Sequence, residues 1–166
     1  MIRRLLVLLC AIAFSLVCAA PVSANGAGAV TSTQTFHNAT MSFPPGPPNG
    51  VNPCTGALGT LTLTFNGVMH FTVLTSGVGA GTGWATFTAT GGFTFQQLDG
   101  VTFTGKFTAW DGENFNLNNF AATGILVGRG TGSDGSTLNF HDVMHITLLG
   151  NPPTNAVVAF DKLTCG

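Results

Sequence analysis

The sequence predicts an all-β protein in which seven to eight long strands form an antiparallel up-and-down barrel, or a flattened one. Apolar and polar residues alternate with period two over stretches as long as Leu61–Val73, which is typical of strands with one buried face. Thr, Val and Phe suit such strands, and charged residues make up only 7% of the chain, too few to sustain amphipathic helices.

Residues 1–24 have the three parts of a secretory signal peptide. Arg3 and Arg4 give a positive start, an apolar run extends from Leu5 to Val17, and Val22-Ser23-Ala24 supplies a small-x-small cleavage pattern. The apolar run is short for a membrane span, so an uncleaved anchor is the less favoured alternative. We therefore predict a secreted, extracellular protein with no membrane contact once the signal is removed.

Residues 25–31 are small and are expected to be loose, and residues 32–166 are expected to form a single β-barrel domain. The first strand is predicted near Thr33–Phe43, and the last one carries Val158 and Phe160 on its apolar face. The apolar positions of the clearest strands alternate with threonine. They are Leu61, Leu63, Phe65, Met69, Phe71 and Val73; Ala85, Phe87, Ala89, Phe93 and Phe95; Val101, Phe103, Phe107 and Ala109; Phe120, Ala122 and Leu126; and Leu138, Phe140, Met144, Ile146 and Leu148.

Four glycines indicate how this sheet curves. Gly67, Gly91, Gly105 and Gly124 each lie within a strand and in phase with its apolar face. Glycine at such positions permits a sharp bend or a close approach of backbones, and its repetition on successive strands favours a sheet that coils into a barrel. A two-sheet β-sandwich is the alternative, although its strands are usually shorter.

The cysteines predict one disulfide bond. Cys10 and Cys18 leave with the signal, so Cys54 and Cys165 remain as a pair in an oxidising compartment. Closing a loop of this size contributes about 4–5 kcal/mol on the chain-entropy model. The Pro-rich stretch 44–53 is expected to be an extended connector that reaches Cys54.

The charge excludes two classes of partner. After signal removal three cations, Lys106, Arg129 and Lys162, stand against six acids, which gives a formal charge of −3. Three scattered cations cannot neutralise a run of phosphates, so we expect no nucleic acid partner. They also cannot form a polybasic patch for anionic lipids.

The histidines predict no metal site and hence no metal cofactor. His141 and His145 lie on one strand, where a rise of about 3.3 Å per residue separates their Cα atoms by roughly 13 Å. Two rings that far apart cannot chelate one ion unaided. We expect these histidines to face outward among threonines.

Asp142 is the most informative single residue. Its phase places it on the apolar face, and an internal repeat at an offset of 75 residues aligns it with Gly67. A duplicated half-barrel or similar packing demands on two strands would explain the repeat equally well. A carboxylate facing inward would hydrogen-bond a ligand in a cavity, with Met69, Met144 and Phe107 as further ligand-binding candidates. The favoured alternative is a bulge at His141–Asp142 that turns the side chain outward.

Asp111 and Glu113, beside Trp110, form a small acidic segment that is interpreted as a turn spanning residues 111–114. Paired carboxylates next to an aromatic ring also occur in glycosidases, but no second pair faces them in the sequence. No serine or cysteine has the local signature of a nucleophile. The sequence therefore predicts no catalytic residue and no cofactor.

Three segments resemble a group of small, uncharacterised secreted proteins of Gram-positive bacteria: residues 52–56, residues 132–136 and residues 160–166. This resemblance covers most of the mature chain and implies no activity. The strand plan alone is similar to lipocalin-like and allene-oxide-cyclase or dirigent-type barrels. No motif of those families is present, so none of their functional residues is carried over.

Three functions are consistent with these features. The first is a secreted, non-enzymatic barrel that binds a small apolar molecule in its interior. The second is a surface module in which the Thr-rich outer face contacts a cell-wall component. The third is a cyclase- or isomerase-like enzyme that uses Asp142. We favour the first, and the sequence does not specify an oligomeric state.

Overall fold

A computed structural model describes residues 28–151 and 153–166. The predicted signal peptide, residues 1–24, lies outside the described residues. The regular secondary structure of the described residues consists of seven β-strands. They form a single antiparallel sheet in chain order. The strands are β1 (Ala29–Phe43), β2 (Gly59–Leu74), β3 (Gly83–Gln97), β4 (Thr102–Phe115), β5 (Asn119–Gly132), β6 (Thr137–Leu149) and β7 (Asn155–Cys165).

The prediction of long, up-and-down antiparallel strands is confirmed. The apolar phase of each central strand points to one side, which we call the concave face, and carries the buried core. Rings from strands that are not neighbours meet across this face: the centroids of Phe65 on β2 and Phe107 on β4 are 6.5 Å apart. The sheet therefore coils around its phenylalanines, while the threonines point to the opposite, convex side.

The sheet is not closed into a barrel. Each strand pairs with its neighbour in sequence, and the described residues of β1 and β7 form no ladder with each other. The two-sheet sandwich is wrong, because all seven strands belong to one sheet. The first strand begins at Ala29, which pairs with Leu74, so residues 29–31 are not loose as expected. The long β2 offers backbone partners to this segment, and the composition of residues 29–31 does not indicate that pairing.

The connector between β1 and β2, residues 44–58, is folded back on itself and not extended. Gly46 and Gly50 exchange two backbone hydrogen bonds of 3.0 and 2.8 Å, and Val51 bridges Leu58. Asn52, which is 1% exposed, holds the next turn, because its Oδ1 accepts hydrogen bonds from the backbone N–H groups of Cys54 and Thr55. We call residues 44–58 the lid, since they cover one end of the concave face.

The predicted disulfide between Cys54 and Cys165 is confirmed. Cys54 lies in the lid and packs against the core, whereas Cys165 lies at the end of β7, the far edge of the sheet. The bond therefore joins the lid to the strand that a closed barrel would have paired with β1. A covalent link replaces the missing ladder at this end of the fold.

Two assignments from the sequence are wrong in phase or extent. Residues 111–114 are not a turn, because β4 continues to Phe115. On β7, Phe160 pairs with His145, which faces the convex side, and Phe160 is 48% exposed. A register shift at Thr147/Leu148 sets this phase, so Asp161, and not Phe160, faces the buried Met144 row.

Gly91 lies where the backbones of β2 and β3 approach each other closely. A Cβ there would contact the backbone oxygen of Thr64 and lie 2.7 Å from Cα of Phe65, so the backbones of β2 and β3 would have to separate. At Gly92 the nearest atom, the oxygen of Gly105, is 3.5 Å away. We expect Gly91→Ala to lower the free energy of unfolding by about 2 kcal/mol, and Gly92→Ala to leave it nearly unchanged. Equal effects of the two variants in urea unfolding would contradict this packing.

Candidate ligand cavity

A cavity of about 130 Å³ lies between the concave face and the lid. The sheet contributes residues from six strands, β1 to β6, and the lid contributes Pro48, Asn49, Val51 and Pro53. Its wall is apolar except at Asn49 and Asp142. The central wall residues are Leu63, Phe65, Phe87, Ala89, Phe93, Phe107, Ala109, Leu126, Leu138 and Phe140.

Phenylalanine and glycine alternate across one row of the sheet. Phe65 on β2 pairs with Gly91, Gly91 with Phe107, Phe107 with Gly128, and Gly128 with Phe140. A Cβ at Gly91 or Gly128 would contact the phenylalanine of the next strand. Gly91, one of the glycines predicted to bend the sheet, and Gly128, which was not among them, thus leave space for the neighbouring phenylalanines on one curved face.

The next row contains small side chains and leaves space. Ala89 pairs with Ala109, Ala109 with Leu126, and Leu126 with Asp142. A methyl group is much shorter than the rings beside it, so the alanines fill less of the space over the sheet. The cavity therefore exists where alanines lie beside the aromatic row of Phe65, Phe107 and Phe140, and Asp142 lies at one end of the alanine row.

Asp142 faces the cavity and is 7% exposed. The outward bulge favoured from the sequence is wrong, since β6 pairs with β5 and β7 at this residue without a register shift. Its Oδ1 has no hydrogen-bond partner among the described residues. Burial, followed by the charge and hydrogen bond of Asp161, raises the pKa of Asp142 to about 6.

A second pair of carboxyl groups lies on the same face. Asp111, which is 4% exposed, pairs with Gly124, Gly124 with Met144, and Met144 with Asp161. Burial raises the pKa of Asp111 to about 7, with a further increase from the charge and hydrogen bond of Glu113. Oδ1 of Asp111 also has no partner within the described part of the chain. Four of the six acids of the chain thus occupy the concave face.

The sequence could have revealed Asp111 and Glu113 on this face, because they continue the odd-numbered phase of Phe107 and Ala109 without interruption. The Asp111-Gly112 sequence suggested a turn, and for that reason the two acidic residues were not assigned to the concave face. Asp161 gave no such signal, since its phase depends on the register shift between β6 and β7.

The other predicted ligand-binding residues divide into two groups. Phe107, like Asp142, lines the cavity. Met69 and Met144 are buried on the concave face, in the row of Asp111, and are not part of the cavity wall.

The cations lie on the convex side. Lys106 on β4 and Arg129 on β5 are exposed and directly opposite each other, and Lys162 on β7 pairs with Val143, which also faces outward. The four acids and three cations of the sheet are therefore separated by its thickness. No cation among the described residues shares the concave face with these carboxyl groups.

His70 and His145 lie on the convex side and bond to threonines of neighbouring strands. Nδ1 of His70 is 2.8 Å from Oγ1 of Thr33, and Nδ1 of His145 is 2.7 Å from Oγ1 of Thr123. No group of three or more potential metal-ligating side chains occurs in residues 28–151 and 153–166.

Comparison with known proteins adds no assignment to this geometry. No family model matches the chain, and no curated protein or solved structure matches it either.

Proposed function

We propose that this protein is an exported, non-enzymatic binding protein that holds a small apolar molecule in the cavity between its concave face and its lid. The observation that carries the proposal is the row of alanines beside the aromatic row of Phe65, Phe107 and Phe140, which leaves an apolar space under a covalently tethered lid. A protein that only needed a core would gain stability by filling this space.

The cavity volume limits the size of the ligand. An engineered protein cavity of about 150 Å³ lined by apolar side chains stays dry and binds benzene. The space of about 130 Å³ here is similar. We therefore expect a compact ligand, an aromatic ring or a branched aliphatic group of about six to ten non-hydrogen atoms.

Export is part of the proposal. The signal-like residues 1–24 support it, and the disulfide is of the kind that persists in an oxidising compartment. In the described ranges there is no helix that is long and apolar enough to cross a membrane. We further propose that the chain belongs with the small secreted Gram-positive proteins that it resembles.

The Thr-rich convex face needs no partner on β1 and β2. The hydroxyl groups of Thr31 and Thr72 are 3.0 Å apart, and those of Ser42 and Thr62 are also 3.0 Å apart. Cross-strand hydroxyl pairs of this kind stabilise a sheet by themselves. This favours the cavity over the cell-wall alternative as the functional site.

Filling the cavity tests the proposal. Ala109→Leu places a larger apolar group in the empty space, so we expect affinity for toluene to fall at least tenfold while thermal stability is kept. Binding is measured by titration followed in amide NMR spectra. Thr108→Leu, the same change one residue away on the exposed convex side, is the matched control and should bind like the wild type. Toluene binding that survives Ala109→Leu, or is absent from the wild type, overturns the proposal.

A further inference from the structure

We propose that the ligand carries a protonated amine next to its apolar body, and that Asp142 binds this amine at the cavity wall. The inference rests on the proposed function and adds the chemical class of the ligand. It depends on three observations: the position of Asp142, the neighbouring Asp161, and the absence of cations from the described part of the concave face.

Asp142 supplies an unused acceptor where a ligand would lie. It is 7% exposed and belongs to the cavity wall, and its Oδ1 has no partner among the described residues. A buried carboxylate oxygen without a partner is costly, and a charged donor satisfies it better than a neutral one. A ligand group beside Asp142 would therefore contribute most if it were a cation with N–H donors.

Asp161 makes the same site favourable for an ammonium group. It lies close enough to Asp142 for its charge and hydrogen bonding to raise the pKa of Asp142, and its own side chain is exposed at the sheet edge. Two adjacent carboxyl groups share a proton when no cation is present. An ammonium group has three donors and no acceptor, so it can replace that proton and bond to both carboxylates.

The distribution of charge over the fold favours a cation over an anion or a neutral ligand. The charged groups that face the concave side with Asp142 are Asp161 on β7 and Asp111 and Glu113 on β4. Leu126 and Leu163, the direct cross-strand neighbours of Asp142, are apolar. The three cations lie on the convex side, so the potential at the cavity attracts positive charge and repels carboxylates.

The experiment compares four probes with one apolar body: toluene, benzyl alcohol, benzylamine and benzoate. At pH 7.5 we expect benzylamine to bind at least tenfold more tightly than toluene or benzyl alcohol, and benzoate not to bind. At pH 4.5, below the pKa of about 6 that Asp142 has in the folded protein, the advantage of benzylamine should disappear. Toluene affinity should change little between the two pH values.

Variants assign the effect to Asp142. Asp142→Asn should remove the preference for benzylamine and keep toluene binding, whereas Asp134→Asn, in the exposed turn after β5, should change neither. Asp161→Asn, at an exposed position, should lower the affinity for benzylamine several-fold. If Asp142→Asn does not fold, this variant decides whether the carboxyl groups bind the amine. Toluene binding without an amine preference overturns this inference alone. A preference for benzyl alcohol overturns it in favour of a neutral ligand, and failure of all four probes also removes the proposed function.

Discussion

Removing the disulfide with the double variant Cys54→Ala/Cys165→Ala is expected to lower the free energy of unfolding by about 5 kcal/mol. The bond spans 111 residues in sequence, so the reduced chain gains a large amount of conformational entropy when it unfolds. Domains are typically stable by about 5–15 kcal/mol, so the loss is a large part of the total. Guanidinium unfolding of the oxidised protein and of the variant measures it.

Loss of this bond should also affect ligand binding, because it releases the lid from β7. We expect toluene affinity of the variant to fall even under conditions where circular dichroism shows the sheet intact. Reduced wild type is the control and should match the variant, while a reducing agent should not change the variant further. A variant as stable as the oxidised protein would show that the lid is held by its own hydrogen bonds and not by the bond.

A second large effect is expected from pH. Asp111 has a pKa raised from 3.8 to about 7 in the folded state, chiefly by burial, and the pKa of Asp142 is raised to about 6. The folded protein therefore holds protons that the unfolded chain releases above about pH 4, so stability decreases as pH rises from 4 to 7. For Asp111 alone the decrease is about 3–4 kcal/mol.

Asp111→Asn isolates this contribution. We expect the loss of stability between pH 4 and pH 7.5 to become smaller by about 3 kcal/mol, because the amide does not ionise. Asp99→Asn, in the exposed turn between β3 and β4, removes a carboxylate away from the concave face and should keep the wild-type slope. Urea unfolding at several pH values gives the slopes. A wild type whose stability rises over this range would contradict the burial of Asp111.

The alternation of apolar and polar residues was enough to predict the strands, since every core phenylalanine of β2, β3 and β4 lies in the predicted phase. Closure of the sheet was not predictable, because it depends on whether the backbones of β1 and β7 meet. Period-two alternation describes which side of a strand is buried and does not describe the partner of an edge strand.

The site was predictable only in part, for a similar reason. Phe107 and Asp142 lie on a regular strand, so their phase indicated the side that they face. The lid residues Val51 and Pro53 belong to an irregular segment whose fold depends on the hydrogen bonds of Asn52. Short-range patterns carry little information about such loops.

The positions of the two bridged cysteines have a consequence for how an exported chain would mature. Cys54 precedes β2, and the chain contains no other cysteine until Cys165, after the whole sheet. During translocation the thiol of Cys54 would emerge long before that of Cys165, and removal of residues 1–24 with Cys10 and Cys18 would leave no other cysteine in the chain. Formation of the disulfide would then be the last step of assembly. A ligand would be enclosed under the lid only after the whole chain had been translocated.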